Sequence, residues 1–302
     1  MRTLSGTALG TVWCVRFAAH EGIDHSSIRA AIEHRLARIV AEMSQWEPAS
    51  LLSTFNRAAA GTWFTVPPDF ATVMAAALSV AEQSGGAFDP THGRAAALLG
   101  YGAETVARPA WAAELDEVLS AAGWQRLAFD RTTRRLRQPG GLWLDFSGIA
   151  KGYAVDALAD LLAEQGIADA LVEIGGELAG RGLKPDGQPW WVDLEAPPGA
   201  ALAPLRVGLH EQAVATSGDY VRGAHTIDPR TGRPLDARVA SVSVIHDSAM
   251  LADAWATALT VLGVEVGMDL AARHGVAARF VEREGAGFIE AFSPALLGMI
   301  ED

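Results

Sequence analysis

The residues best suited to chemistry cluster in a few short segments. The densest is Asp145-Phe146-Ser147-Gly148-Ile149-Ala150-Lys151-Gly152-Tyr153-Ala154-Val155-Asp156. It reads as a strand end, a Gly turn and a helix start. Free N–H groups and the positive dipole end of such a helix favour an anion. Lys151 falls in the first turn, where a cation is unfavourable unless negative charge lies nearby. Two readings stand: an anchor for a phosphate or other polar ligand, or a lysine on a solvated face. The GxxxxGK[ST] spacing of a P-loop is absent.

A second segment is Leu251-Ala252-Asp253-Ala254-Trp255-Ala256-Thr257-Ala258. Asp253 and Thr257 are one helical turn apart and share a face. A carboxylate and a hydroxyl oxygen are hard donors that suit Mg2+, and the neighbouring alanines leave room for a ligand. A local hydrogen bond from Thr257, or simple exposure, explains the pair equally. A third segment runs Thr216-Ser217-Gly218-Asp219-Tyr220, then His225-Thr226-Ile227-Asp228-Pro229-Arg230-Thr231-Gly232. Asp-Pro-Arg-Thr-Gly is a tight turn. His225 can accept a proton and Asp228 can orient it; a structural hairpin with a surface histidine is the alternative. In Val172-Glu173-Ile174-Gly175-Gly176-Glu177 a strand ends in two glycines. Such a turn lets backbone approach a ligand, or merely bends the strand.

The elements that must hold these segments follow from periodicity. Ile28, Ile32, Leu36, Ile39 and Val40 recur at helical spacing within residues 24–43. Further helices are expected over 68–84, 111–122, 149–165 and 249–262, the last stopped by Gly263. Strands are expected over 11–17, 141–146, 170–174, 190–194, 205–209 and 239–246, with a hairpin joining 127–129 to 135–137. Strands and helices interleave without a strict βαβ rhythm. The pattern predicts an α+β fold: a single mixed α/β domain over 1–302, with largely antiparallel sheet flanked by helices.

Composition narrows the function. The chain has 302 residues and a formal net charge of −12, with only two lysines, Lys151 and Lys184. That acidity argues against non-specific nucleic-acid binding. A single cysteine, Cys14, excludes an internal disulfide framework and any CxxC motif. It stands in an alternating strand pattern and reads as a part-buried strand residue rather than a lipid attachment site. No uninterrupted apolar run is long enough to span a bilayer. Residues 1–10 contain no continuous apolar region after Arg2, so a cytoplasmic protein is expected, or an extracytoplasmic one if a leader has been removed.

Taken in order, these segments resemble the FAD:protein FMN transferase family, the ApbE-type proteins. The pattern S-x-L-S-x-x-N-R, F-D-P-T, D-x-x-G-I-A-K-G-Y-x-x-D, V-x-x-G-G, T-S-G-D-Y, H-x-I-D-P-x-T-G and A-D-A-x-x-T is similar to segments found here. They begin at Ser50, Phe88, Asp145, Val172, Thr216, His225 and Ala252. Leu9-Gly10-Thr11 fits the family's opening M-G-T. The resemblance covers nearly the whole chain and implies an ApbE-like, T-fold-like architecture. It implies a reaction in which FAD is cleaved at its pyrophosphate, FMN passes to a Thr or Ser hydroxyl of a target flavoprotein, and AMP leaves.

The resemblance also implies roles. Asp253 and Thr257 would bind Mg2+, or Mn2+, with a backbone oxygen near Gly148. Asp145 and Lys151 would contact FAD. Leu9, Trp46 and Ile227 match positions lining the flavin or adenine pocket, and Phe88, Asp89, Gly175 and Gly176 belong to the same cofactor-binding set. His225 and Asp228 are the candidates to assist the target hydroxyl. The chain departs from the pattern after Thr91. A small apolar residue, Gly and Pro are usual there, and His92-Gly93-Arg94 stands instead. These two groups would meet the phosphates or an acidic target motif, or sit on the surface. Many relatives carry a lipoprotein leader, and none is seen here, which favours cytoplasmic targets. Two alternatives remain: a Mg2+-dependent FAD pyrophosphatase, and a non-catalytic FAD-binding protein. The assembly is expected to be a monomer or homodimer.

Overall fold

The computed structural model describes residues 1–18, 24–103, 112–220 and 226–301. Strands β1 (Arg2–Ala8) and β2 (Thr11–Phe17) precede helices α1 (His25–Met43) and α2 (Leu51–Asn56). Strand β3 (Trp63–Thr65) leads to α3 (Pro68–Gln83), α4 (Gly93–Leu98) and α5 (Ala112–Ala121). Strands β4 (Ala128–Asp130) and β5 (Arg135–Arg137) come before α6 (Ala150–Glu164). Strands β6 (Ala170–Ile174), β7 (Glu177–Arg181), β8 (Trp190–Asp193), β9 (Arg206–Leu209) and β10 (Gln212–Gly218) follow. The chain ends with β11 (Ile227–Asp228), β12 (Arg233–Pro234), β13 (Val239–His246), α7 (Ala249–His274), β14 (Ala277–Glu284), β15 (Gly287–Phe292) and α8 (Pro294–Glu301).

The chain forms two compact units. The first comprises Met1–Ala37, Ile149–Ala224 and Asp236–Asp302; the second comprises Arg38–Gly148 and His225–Leu235. The first unit is built on an eight-stranded sheet in the order β1-β2-β6-β7-β10-β13-β14-β15, antiparallel at every step. Side chains alternate between its faces. One face carries Trp13, Val15, Phe17, Val172, Ile174, Ala179, Ala213, Ala215, Val242 and Val244, all buried, and α6 and α7 pack against the sheet and each other. A β-carbon at Gly152 would lie 2.1 Å from the Ala249 carbonyl oxygen, so only glycine lets α6 and α7 approach this closely. The opposite face buries Leu171, Val214, Ile245 and Ala277 with Trp190, Leu194, Leu209 and Leu296.

The second unit is mainly helical, with a small sheet in the order β3-β5-β4. The hairpin expected at 127–137 is β4–β5. The strand expected over 141–146 does not form. Leu142, Leu144 and Phe146 are buried alternately, as a strand would bury them, but the backbone finds other partners. Asn56 Nδ2 donates to the Leu144 carbonyl at 2.9 Å and Asn56 Oδ1 accepts from its N–H at 2.7 Å. The Asp145 N–H donates to the Pro90 carbonyl, and only Trp143 makes a bridge, to His92.

The helix expected to stop at Gly263 is interrupted there, with φ 73° and ψ 175°, and then resumes to His274. By length and composition α7 is apolar enough to cross a membrane, yet more than half of that stretch is buried in the protein, which marks a core helix. Strand β1 went unread in the sequence because it is an edge strand with mostly exposed side chains. Cys14 lies half-buried in β2.

Candidate active site

The chemistry of the first unit gathers where α6 and α7 meet the sheet. Lys151 stands in the first turn of α6, and its ammonium pairs with the carboxylate of Glu177, the first residue of β7. Glu177 is 2% exposed, on the face that buries Ile174, Ala179 and Ala213. Its Oε2 has no hydrogen-bond partner among the described residues. Burial first, and the charge of Asp253 second, push its carboxyl up to about 8, with Lys151 opposing them. Asp253 is buried one turn into α7. Burial raises its pKa too, opposed by Lys151 and by the Gly152 N–H, which donates to Asp253 Oδ2 at 3.1 Å. Thr257, one turn further, has its Oγ1 3.3 Å from Ser217 Oγ on β10.

Asp156 closes this arrangement from the side. It lies two turns along α6, and its carboxylate accepts from Ser248 Oγ at 2.7 Å and from the Ala249 and Met250 N–H groups at 2.9 and 3.0 Å. Ser248 is the N-cap of α7 and also accepts from the Leu251 N–H. One carboxylate on α6 therefore fixes the start of the helix that carries Asp253 and Thr257.

The remaining candidates of this unit are turn residues. Leu9 and Gly10 form the two-residue β1–β2 turn, with φ of 54° and 73°. Left-handed backbone is strained for a leucine. Gly175 and Gly176 join β6 to β7 with φ of 63° and 104°, and the Gly175 N–H donates to the Val12 carbonyl. The double glycine thus makes the turn that delivers Glu177.

The candidates of the second unit are organised differently. Phe88 is buried. Asp89 Oδ1 accepts from the N–H and hydroxyl of Thr91, and Oδ2 accepts from the Trp124 N–H. Asp145 Oδ1 accepts from the Ser147 N–H at 2.7 Å and from Gln45 Nε2 at 3.1 Å, and the same Gln45 nitrogen reaches Ser147 Oγ. Trp46, beside Gln45, is 62% exposed. Gly148 is the last residue before the chain re-enters the first unit. Ile227 is buried with Ala95 and Ala96. Asp228 is paired through both oxygens with Arg230. Burial works against its ionised form, but Arg230 prevails and holds the carboxyl below its ordinary range. His225 lies outside the described residues. Of the departure at 92–94, His92 is buried with Nδ1 3.5 Å from Asp89 Oδ2, and Arg94 stacks over Trp143 at 4.8 Å.

Sequence reasoning brought Lys151, Asp253 and Thr257 forward, and the first unit places all three beside the same stretch of sheet. It did not bring forward Glu177, Asp156, Ser217 or Gln45. Asp156 and Glu177 stood inside quoted motifs. The strand period that buries Ile174 also turns Glu177 inward across the hairpin. Gln45 left no signal.

A part-buried lysine–carboxylate cluster beside a helix N-terminus, with a carboxylate and a hydroxyl on one helix face, is an arrangement chemically suited to an anion and a hard cation. The donor set fits such a cation: Asp253 is a carboxylate whose ionised form burial disfavours, and Thr257 adds a neutral oxygen. Residues 9–280 match the ApbE family, and the chain belongs to it. It is 36% identical to the FAD:protein FMN transferase of Vibrio cholerae, over 95% of this chain and 89% of that protein. It is 31% identical to the Salmonella typhimurium protein of the same name, over 97% of this chain and 87% of that one. The fold agrees. The Pseudomonas stutzeri flavinyl transferase ApbE, apo form, superposes with a TM-score of 0.92 at 35% identity, covering 100% of this chain and 97% of that chain. The Vibrio cholerae flavin transferase ApbE gives 0.90 at 34% identity, over 98% of each chain.

Proposed function

We propose that this chain is an FAD:protein FMN transferase, which moves FMN from FAD to a Thr or Ser hydroxyl of a target flavoprotein. The observation that carries the reading is its 36% identity, over nearly its whole length, to a relative of that name. The reaction balances simply. The target oxygen bonds to the FMN phosphorus, the pyrophosphate bond to AMP breaks, AMP leaves with that electron pair, and the hydroxyl proton passes to a base.

The residues of the first unit suit a pyrophosphate substrate. Lys151 brings an ammonium to the N-terminal turn of α6, where the helix dipole would also favour an anion. Asp253 and Thr257 are the side chains that would hold Mg2+, or Mn2+. A bound divalent cation neutralises charge that builds on the transferring phosphoryl group. Asp156 keeps those ligands in register by pinning the start of α7. The Gly175-Gly176 turn delivers Glu177 to the same end of the sheet. In the second unit, Asp145 is held by Gln45 as a fixed acceptor, and exposed Trp46 offers a planar surface to an aromatic ring. Asp228 and His225 remain the candidates to receive the hydroxyl proton.

The test is incubation with FAD, Mg2+ and a flavoprotein bearing an acceptor threonine. Transfer gives a fluorescent flavin band that survives SDS electrophoresis. FMN and AMP released at one rate with or without the acceptor would show a pyrophosphatase instead. FAD binding with no turnover would show a carrier.

A further inference from the structure

We propose that Glu177 is a positioning residue for Lys151, holding the lysine ammonium where it meets the phosphate of FAD. The inference rests on the functional reading above and adds a residue to that site.

Glu177 is 2% exposed, on the sheet face that buries Val172, Ile174, Ala179 and Ala213. An acid is almost never buried so fully unless paired, and its partner here is Lys151. The pair is a poor device for stability alone, because desolvating two ions offsets most of their attraction. It is a good device for geometry. The carboxylate comes from a rigid place: Glu177 opens β7, pairs with Ile174 and follows a turn fixed by two left-handed glycines. The lysine comes from a flexible one, a four-carbon stem with several soft torsions. Anchoring the stem to the strand selects one direction for the ammonium. An ammonium has three donor hydrogens, so pairing with Glu177 does not exhaust it.

The two lysines make the pair directly observable. Lys184 is an internal reference, ion-paired with the exposed Asp186. Acetylation with limiting acetic anhydride, read by mass spectrometry, compares Lys151 with Lys184 in one sample. Glu177→Ala is expected to raise Lys151 labelling relative to Lys184 about fivefold or more. It is expected to lower kcat for FMN transfer by about tenfold or more, with KM for FAD within about threefold. Glu177→Gln keeps an acceptor and is expected to stay within about threefold of wild type in kcat. Melting temperatures establish that the variants fold.

Unchanged Lys151 labelling in Glu177→Ala overturns the proposal, and so does a Gln variant that falls as far as Ala. If wild type binds FAD but flavinylates no acceptor, the functional reading fails separately. FAD alone, without divalent cation, then decides the positioning. Protection of Lys151 in wild type that is lost in Glu177→Ala supports it, and equal protection in both overturns it.

Discussion

In the second unit, Asp89 accepts from Thr91 and Trp124, Asp145 from Ser147 and Gln45, and Asp228 from Arg230. Each carboxylate has a donor two residues along its own loop, and Asp89 and Asp145 draw a second from a distant segment of the same unit. In the first unit, Asp253 is buried with the Gly152 N–H as its hydrogen bond, and Glu177 keeps one oxygen without a partner. The first kind builds loops. The second kind carries charge that the protein alone does not fully compensate, which is the state expected of groups that receive a cation or steer one. The acidic chain thereby handles an anionic substrate. Its net charge of −12 is global, whereas the positive character at Lys151 is local.

The largest effect should come from Asp253. Asp253→Asn removes a charge from the proposed cation site and is expected to reduce FMN transfer by about a hundredfold or more at saturating Mg2+. The same change removes an under-compensated buried charge, so in metal-free buffer the melting temperature should rise, by about 2 °C or more. Asp89→Asn should do the reverse and lower it, because a satisfied carboxylate loses acceptor strength. If Asp253→Asn and Asp89→Asn both lower the melting temperature in metal-free buffer, the contrast between the two units is wrong.

Asp156 tests the contrast from inside the first unit, since it is satisfied in the manner of the second. Asp156→Ala strips acceptors from Ser248, Ala249 and Met250. The expected cost is about 2–4 kcal/mol, counting three hydrogen bonds to a charged acceptor and the helix start they fix. Denaturant titration measures it. Hydrogen exchange should quicken first at residues 249–252. Asn56→Ala is the smaller analogue in the second unit. It leaves the Leu144 N–H and carbonyl without the side chain that satisfies them, at about 2 kcal/mol, with exchange quickening around 142–146.

These two residues show what sequence could and could not tell. The alternation of Leu142, Leu144 and Phe146 correctly reported which side chains are buried. It wrongly implied a strand, because burial period says nothing about who satisfies the backbone. Asn56 does so from 88 residues away, and no local pattern carries that. Lys151 at a helix start and Asp253 with Thr257 on one face were legible because helical spacing fixes them. Glu177 was not singled out, because its partner lies 26 residues back and only the packing of α6 against β7 brings the two together. Gly263 was read as a stop. It does break the helix locally, but the chain re-forms helix beyond it, since Gly267, Leu270 and Ala271 still have a core to bury against.

The smallest effect concerns His246, at the end of β13. Its Nδ1 accepts from the Ser248 N–H at 3.0 Å, which requires the neutral ring. Burial lowers its pKa from 6.5, against the charges of Asp247 and Asp156. The unfolded chain therefore takes up a proton before the folded one does. The contribution of His246 to stability is present above about pH 6.5 and is lost as pH falls through the lower folded value. Protonation removes the acceptor beside the α7 N-cap, so acid should loosen the same helix start that Asp156 holds. Chemical denaturation of wild type between pH 7.5 and 5.5 should show a decline that His246→Gln flattens by about 1 kcal/mol or less. A steeper decline in His246→Gln than in wild type would assign the acid sensitivity of α7 to carboxylates instead.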